Sequence, residues 1–433
     1  MYARNLLLGL LCCISLPVFA LPEIQNWQTD QGTPVYFVEA HEIPVVDIQI
    51  MFDAGSSRDG DKPGVAVLTS ALLSEGADGL SADQLSRNFA DIGAKYGAGA
   101  SYDQVGISLR SMTEPGVLQL ALDNLKRIIS KPDFPAKAFD REKNRTLLAI
   151  QQKQQSPGDI ANDAFFAAIY GDHPYAHPPE GTEKSVTALT VDDLKNFYQK
   201  YYVSHNAVIA IVGDISRKQA EAISNQLMSP LPTGDKADPL PEVKPLTQSK
   251  TIKINFPSTQ THVLIGQPGI RRDDPDLFPL YVGNNILGGG GMVSRLFEQV
   301  REKRGLSYSV YSYFYPLRNR GPFVAGLQTK TDQTDEAVSV MMAQIDKFIA
   351  EGPTEKELKT AKQNLTGNFP LRIDSNKNIM QYLGLIAFYH LPLDYLATYD
   401  DKIMKVTTKQ ISDAFRRKLA TDKLVKVMVG DFK

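Results

Sequence analysis

Apolar positions along this chain recur at two spacings, and the elements they predict fall into two similar halves. Pro63–Gly76 carries Val65, Leu68 and Leu72 at i, i+3 and i+7, one face of a helix. Pro63 suits the helix start, where the N–H it lacks would be unpaired anyway, and Gly76 is the predicted stop because it tolerates a left-handed backbone. Ala66, Ala71 and Ala77 are small enough to let neighbouring elements pack close. β signals occur at Val45–Phe52 and again at Thr261–Gly266. Amphipathic helices are predicted over Ser81–Ile92, opened by a Ser81/Gln84 capping box, and over Leu118–Ile129. Thr354 and Glu357 cap a further helix with Leu358, Ala361 and Leu365 on one face. Strands clustered with helices, rather than strictly alternating with them, predict an α+β sandwich in each half.

The halves read as copies. Thr190–Asp214 is TVDDLKNFYQKYYVSHNAVIAIVGD and Thr407–Asp431 is TTKQISDAFRRKLATDKLVKVMVGD, 25 residues each at an offset of 217. Each has a Thr N-cap, an amphipathic helix, a short loop and an apolar strand ending Val-Gly-Asp, which predicts duplication. Between the halves, Ser229–Ser249 holds Pro230, Pro232, Pro239, Pro241 and Pro245, the composition of an extended, semi-rigid connector. At the other end, Arg4 precedes an apolar run from Leu6 to Leu16 that is too short to span a bilayer. Val18-Phe19-Ala20 then offers small residues where a signal peptidase reads. The expected organisation is a signal peptide over 1–20, an N-terminal domain over 21–228, a linker over 229–249 and a C-terminal domain over 250–433. The expected location is the periplasm, with no transmembrane segment in the mature chain.

The formal net charge is −2, which argues against a nucleic-acid partner. Both cysteines, Cys12 and Cys13, fall in the signal, so the mature chain has no disulfide and no thiolate metal site. Of six histidines, His173 and His177 have a spacing that would suit zinc on a helix. Pro174, Pro178 and Pro179 forbid that helix, so a structural loop is expected instead. His41, His205, His262 and His390 are isolated. There is no Gly-x-Ser-x-Gly elbow and no phosphate loop. Gly288, Gly289, Gly290 and Gly291 predict a mobile or closely approached loop facing a cavity or partner, followed by a helix over Val293–Glu302. Arg301 would close that helix, and Tyr308 would open a strand with Tyr311, Tyr313 and Tyr315 alternating along it. A guanidinium and a phenol placed this way can converge across a tight glycine turn and bind a carbonyl or an oxyanion. Spacing alone favours the other reading, a helix-end cation beside a packed tyrosine.

With these residues in view, the mature chain resembles the insulinase/pitrilysin family of zinc peptidases, the inverzincins. It is most similar to their short two-domain type, found in bacteria and as the mitochondrial processing peptidase. The resemblance is carried by Leu287–Met292, Ser294–Phe297, Arg301–Tyr308, Ala54–Arg58, Gly64–Ala66, His173–Tyr175 and the two Val-Gly-Asp ends, over roughly Trp27 to the C-terminus. It implies a pair of homologous α+β sandwich domains. It also implies a His-x-x-Glu-His zinc site on the Pro63–Gly76 helix. The matching positions here are Val67, Ser70 and Ala71, and the family's third ligand, a glutamate, matches near Ala149. None of these four binds zinc or moves a proton usefully, so no catalytic residue, metal or cofactor is expected in this chain. Arg301 and Tyr308 match the family's Arg/Tyr pair, which is similar to a substrate clamp beside the zinc. Gly97–Ser101 matches the region where catalytic members offer an edge strand to substrate.

Some bacterial members of the family are heterodimers, one chain holding zinc and the other supplying the Arg/Tyr pair. The resemblance therefore implies the non-catalytic, substrate-binding subunit of an exported zinc endopeptidase. Its partners would be a peptide or unfolded polypeptide and a zinc-bearing homologous subunit. The competing expectation is a non-proteolytic structural or peptide-binding protein, like the family's core proteins in respiratory complexes.

Overall fold

The computed structural model describes residues 23–432, so the expected signal over 1–20 and the mature start at Leu21 lie outside the described residues. Strands β1 (Gln25–Gln28), β2 (Pro34–Glu39) and β3 (Val45–Phe52) open the first sheet. The two-residue strands β4 (Gly76–Ala77) and β5 (Leu80–Ser81) pair on their own. β6 (Lys95–Ala100), β7 (Val105–Met112) and β8 (Ala207–Gly213) complete the sheet in the order β1-β2-β8-β3-β7-β6. The second sheet takes β9 (Lys250–Asn255), β10 (Gln260–Pro268), β11 (Ser309–Phe314), β12 (Pro322–Lys330) and β13 (Val425–Gly430), in the order β11-β12-β10-β13-β9.

The first half carries helices α1 (Val65–Leu72), α2 (Ala82–Ala90), α3 (Pro115–Ser130), α4 (Ala136–Lys153), α5 (Pro157–Tyr170), α6 (Glu183–Ala188), α7 (Val191–Tyr201) and α8 (Arg217–Met228). The second carries α9 (Leu277–Asn284), α10 (Thr334–Glu351), α11 (Glu355–Gly367), α12 (Asn376–Phe388), α13 (Tyr399–Lys405) and α14 (Thr408–Lys418). The expected capping boxes form at Ser81/Gln84, Thr190/Asp193 and Thr354/Glu357. α1 is capped differently. Asp59 reaches its N-terminus and accepts the N–H groups of Gly64 at 2.7 Å and Ala66 at 3.0 Å.

Duplication is visible in the pairing. β8 runs parallel to β2 and antiparallel to β3; β13 runs parallel to β9 and antiparallel to β10. The offset read from one repeat carries α7 onto α14, β8 onto β13 and β7 onto β12. Each sheet packs its own half's helices on one face and a helix from the other half on the opposite face. Leu383, Ile386 and Ala387 of α12 bury against Val38, Met51, Val208 and Val212 of the first sheet. Phe165, Phe166 and Ile169 of α5 bury against Val425, Val427 and Val429 of the second. Burying a side chain such as Phe165 contributes about 2–3 kcal/mol. At the joint, the buried Asp103 carboxylate accepts from the Tyr175 hydroxyl at 2.5 Å, the Arg318 N–H at 2.7 Å and the Tyr389 hydroxyl at 2.9 Å.

Three expectations change. α1 ends at Leu72, and Gly76 is not its stop: it pairs in β4, where a side chain would collide with Pro135 at 2.8 Å. The glycine-rich stretch is not a loose loop. Asn285–Gly289 continues α9 as a π-helical turn, and a 3-10 turn follows over Gly291–Val293. Helical backbone then resumes only at Arg295, and it ends at Glu302 as a π-helical segment. The connector over 229–249 is extended, as its prolines predict, and it is stitched down. The Pro241 carbonyl meets His173 Nε2 at 2.9 Å and Asn319 Nδ2 at 2.6 Å, while Arg58 reaches the Asp238 carbonyl at 2.5 Å.

Candidate functional site

The helix face that would carry a metal is inert. Val67 is half-buried, Ser70 is buried and Ala71 is exposed on α1; Ala149 is exposed on α4, which packs against α1. The Ser70 hydroxyl donates to the Val67 carbonyl at 2.9 Å, so even this polar group is spent within its own helix. One isopropyl group, one hydroxyl and two methyl groups do not make a zinc donor set, which needs imidazole, thiolate or carboxylate. The residues do not fit the family's metal. Glu142, the nearest carboxylate to Ala149 in sequence, is buried on α4 and paired with Arg141 at 3.3 Å and Arg145 at 3.5 Å.

The histidine pair is structural. His173 uses both ring nitrogens: Nδ1 accepts the Tyr175 N–H at 3.1 Å and Nε2 meets the Pro241 carbonyl. Burial lowers its pKa, which keeps it neutral for that double role. His177 Nδ1 lies 3.0 Å from the Pro178 carbonyl. Among the described residues, no three His, Cys, Asp or Glu side chains gather as a metal site.

Beside α1, β6 forms the edge of the first sheet and pairs with β7. Gly97, Ala98 and Gly99 leave that edge open, the geometry onto which an extended peptide adds as a strand.

Arg301 and Tyr308 do converge. The Arg301 guanidinium carbon lies 4.5 Å from the Tyr308 ring centroid and 4.8 Å from that of Phe297. Gly305, at φ +64°, makes the turn between them, and its N–H bonds the Arg301 carbonyl at 2.9 Å. The next residues are locked: Leu306 N–H bonds the Val300 carbonyl at 3.0 Å, and the Ser307 hydroxyl donates to the Gln328 carbonyl at 2.7 Å. Tyr308 therefore projects from a fixed backbone while remaining 80% exposed. Its residue lies just before β11 rather than inside it. The Arg301 side chain joins no ion pair among the described residues, so its N–H fork is free for a ligand oxygen.

The helix bearing Arg301 is anchored at its start. Arg295 bonds Glu357 bidentately at 2.6 and 2.8 Å and the Gly352 carbonyl at 3.0 Å. Just upstream, Gly288 is packed so tightly that a Cβ there would stand 2.5 Å from Ser312 Oγ and 2.6 Å from Ser312 N. Close approach, not mobility, explains that glycine. Met292 and Val293 stand exposed beyond it.

Gly288, Gly289 and Gly291 face a cavity of about 670 Å³ that also takes in Tyr311, Tyr313, Tyr281, Tyr382, Tyr395 and Tyr399. Sequence reasoning found the glycines and the β11 tyrosines. It missed the others, which come from α9, α12, α13 and the approach to α13; no local spacing links them.

Comparison with known proteins bears on the whole chain. Residues 35–183 match the model of the insulinase family, peptidase family M16, and residues 188–365 match the peptidase M16 inactive domain. The chain is 28% identical over 435 residues to a non-peptidase homolog from Helicobacter pylori, covering 99% of this chain and 98% of that one. It is 26% identical to an uncharacterised zinc protease of Bacillus subtilis, over 86% of this chain and 90% of that one. A crystal structure of a peptidase M16 inactive domain from Pseudomonas fluorescens superposes with a TM-score of 0.92 at 40% identity, covering 95% of this chain and 98% of that one. Sequence, fold and the missing donor set agree: this chain belongs to the insulinase family, peptidase family M16, as one of its non-peptidase homologues.

Proposed function

We propose that this chain is the non-catalytic, substrate-binding subunit of an exported M16 endopeptidase whose zinc is held by a homologous partner. The observation that carries the reading is the convergence of Arg301 and Tyr308 in a chain whose α1 has no metal donors. The planar guanidinium offers paired N–H groups to a peptide carbonyl, and the exposed phenol offers one more donor beside it. Stacking on Tyr308 and Phe297 holds the fork in one plane before substrate arrives, so less entropy is lost on binding. In a heterodimer these donors would close over a polypeptide strand lying beside the partner's zinc.

No step of hydrolysis runs through this chain's own side chains. Its part is to orient the substrate and, with the partner, to exclude water. The signal expected over 1–20 supports a periplasmic location for this chain, which cell fractionation checks. Mixing the mature chain with a homologous chain that has an intact His-x-x-Glu-His motif tests the reading. Peptidase turnover should rise on mixing, and Arg301→Ala should abolish most of that rise. A partner that is equally active alone sinks the proposal. Stable binding to a protein with no peptidase motif, again without cleavage, would move the chain to the structural, core-protein-like reading.

A further inference from the structure

The tyrosine-lined cavity has an unusual charge pattern. Arg272 and Arg372 are the charged side chains in its wall, and no carboxylate lines it. Neither guanidinium joins an ion pair among the described residues. Arg372 donates to the Tyr281 hydroxyl at 2.9 Å, and the Tyr281 and Tyr399 hydroxyls lie 3.4 Å apart. Arg272 gives one bond to the Pro316 carbonyl at 2.8 Å, while its Nε is buried with no hydrogen-bond partner. A buried donor left unpaired is costly, which favours an anion able to reach this guanidinium. Burial pushes the Tyr313 and Tyr395 phenols up to about 12, so both remain neutral O–H donors at physiological pH. The rest of the wall is apolar, with Phe278, Phe314, Leu277 and Leu385 among it.

The duplication supplies a second, independent observation. Its offset carries Val67 and Ala71, two of the vacated metal positions, onto Asn284 and Gly288, and both of these line this cavity. The second half thus keeps a hollow at the place where the first half has an inert helix face.

We propose that this cavity binds a carboxylate attached to an aromatic or bulky apolar group, presented as the C-terminal residue of a peptide. Two guanidiniums answer the carboxylate by charge-assisted hydrogen bonds, and the aromatic wall takes the side chain. An amine-terminated or cationic ligand meets no counter-charge here. The volume suits one or two residues rather than a folded partner. The choice of a peptide as carrier rests on the reading of the chain as a polypeptide-binding subunit; recognition of the carboxylate rests on the lining itself.

The test is fluorescence anisotropy on the full mature chain, with a labelled short peptide ending in Phe as the free acid and the same peptide ending in the carboxamide. The acid should bind at least about tenfold tighter, as expected for a charge-assisted contact. Arg372→Gln, at an exposed position, should close that gap, with thermal unfolding showing that the variant folds as the parent does. Equal affinity of acid and amide overturns the proposal. So does a peptide acid ending in Gly that binds as tightly as the one ending in Phe. Decanoate is the competitor. If it binds tighter than the peptide acid, the carrier is a fatty acid and the peptide assignment falls. The two proposals separate cleanly: a partner peptidase unmoved by this chain removes the subunit reading but leaves the acid–amide gap. A stimulated partner without that gap removes this inference alone.

Discussion

At Arg301 the guanidinium is held between two rings, Phe297 and Tyr308, and keeps its donors free. That arrangement distinguishes the roles of the two side chains. Tyr308→Phe keeps the ring under the cation and removes only the hydroxyl; Arg301→Lys keeps the charge and removes the planar fork. Each should lower the stimulated kcat of the zinc-bearing partner by about tenfold or more, in line with losing one oxyanion-type donor. Neither should change the melting temperature appreciably, because Tyr308 is exposed and half-buried Arg301 has no ion pair to lose among the described residues. Steady-state peptide cleavage alongside thermal unfolding checks both halves of this expectation. Gly288 is the opposite case. A methyl there meets Ser312 backbone and side chain and the Leu296 side chain at 2.8 Å. Gly288→Ala should cost about 1–3 kcal/mol of stability, read by urea unfolding, through overpacking rather than through lost function.

The element that carries Arg301 depends on one ion pair. Burial alone would raise the Glu357 pKa, but the Arg295 guanidinium and the Thr354 cap outweigh it and hold the carboxyl down to about 2. A carboxyl whose folded pKa lies below its unfolded value contributes stability that is fully present above the unfolded pKa. It is lost as pH falls, here between about 4.5 and about 2. Glu357→Gln should therefore flatten the acid limb of the stability profile in that window, and should loosen the helix over 295–302 at neutral pH. Hydrogen exchange of the Val300 and Arg301 amides, compared with those of α10, reads the second effect. If those amides exchange as slowly in the variant as in the parent, the anchor does not hold the helix.

At the scale of the molecule, each sheet is finished by the other half. Without α12 the first sheet would expose Val38, Val208 and Val212; without α5 the second would expose Val425, Val427 and Val429. Residues 21–228 and 250–433 produced separately should bind an apolar dye and aggregate, and co-expression should restore a soluble complex. Two soluble, cooperatively folding halves would count against this reciprocal packing as a requirement. Asp103 works at the same joint. Asp103→Ala leaves the Tyr175 and Tyr389 hydroxyls and the Arg318 N–H without their acceptor, at a cost of about 3 kcal/mol. Thermal unfolding reads it directly.

Local pattern alone determined a large part of this protein. The strand at Val45–Phe52, the capping boxes and the repeated helix–strand unit were legible because each depends on neighbours within a few residues. The absence of zinc donors at Val67, Ser70, Ala71 and Ala149 was legible because donor chemistry is a property of residue type. Gly76 was misjudged, and the choice between mobility and close approach at Gly288 was left open, for one reason. Sequence shows that a side chain is missing, not which atom of another element occupies the space it leaves, and Pro135 and Ser312 are remote in the chain. Tertiary structure alone decided that α5 and α12 cross to the opposite sheets, since an apolar helix face does not name the sheet that covers it. It also gathered Arg272, Tyr281, Arg372, Tyr395 and Tyr399 around one cavity. These residues come from separate segments that share no spacing, and only the packing of the second half brings their charge and rings together.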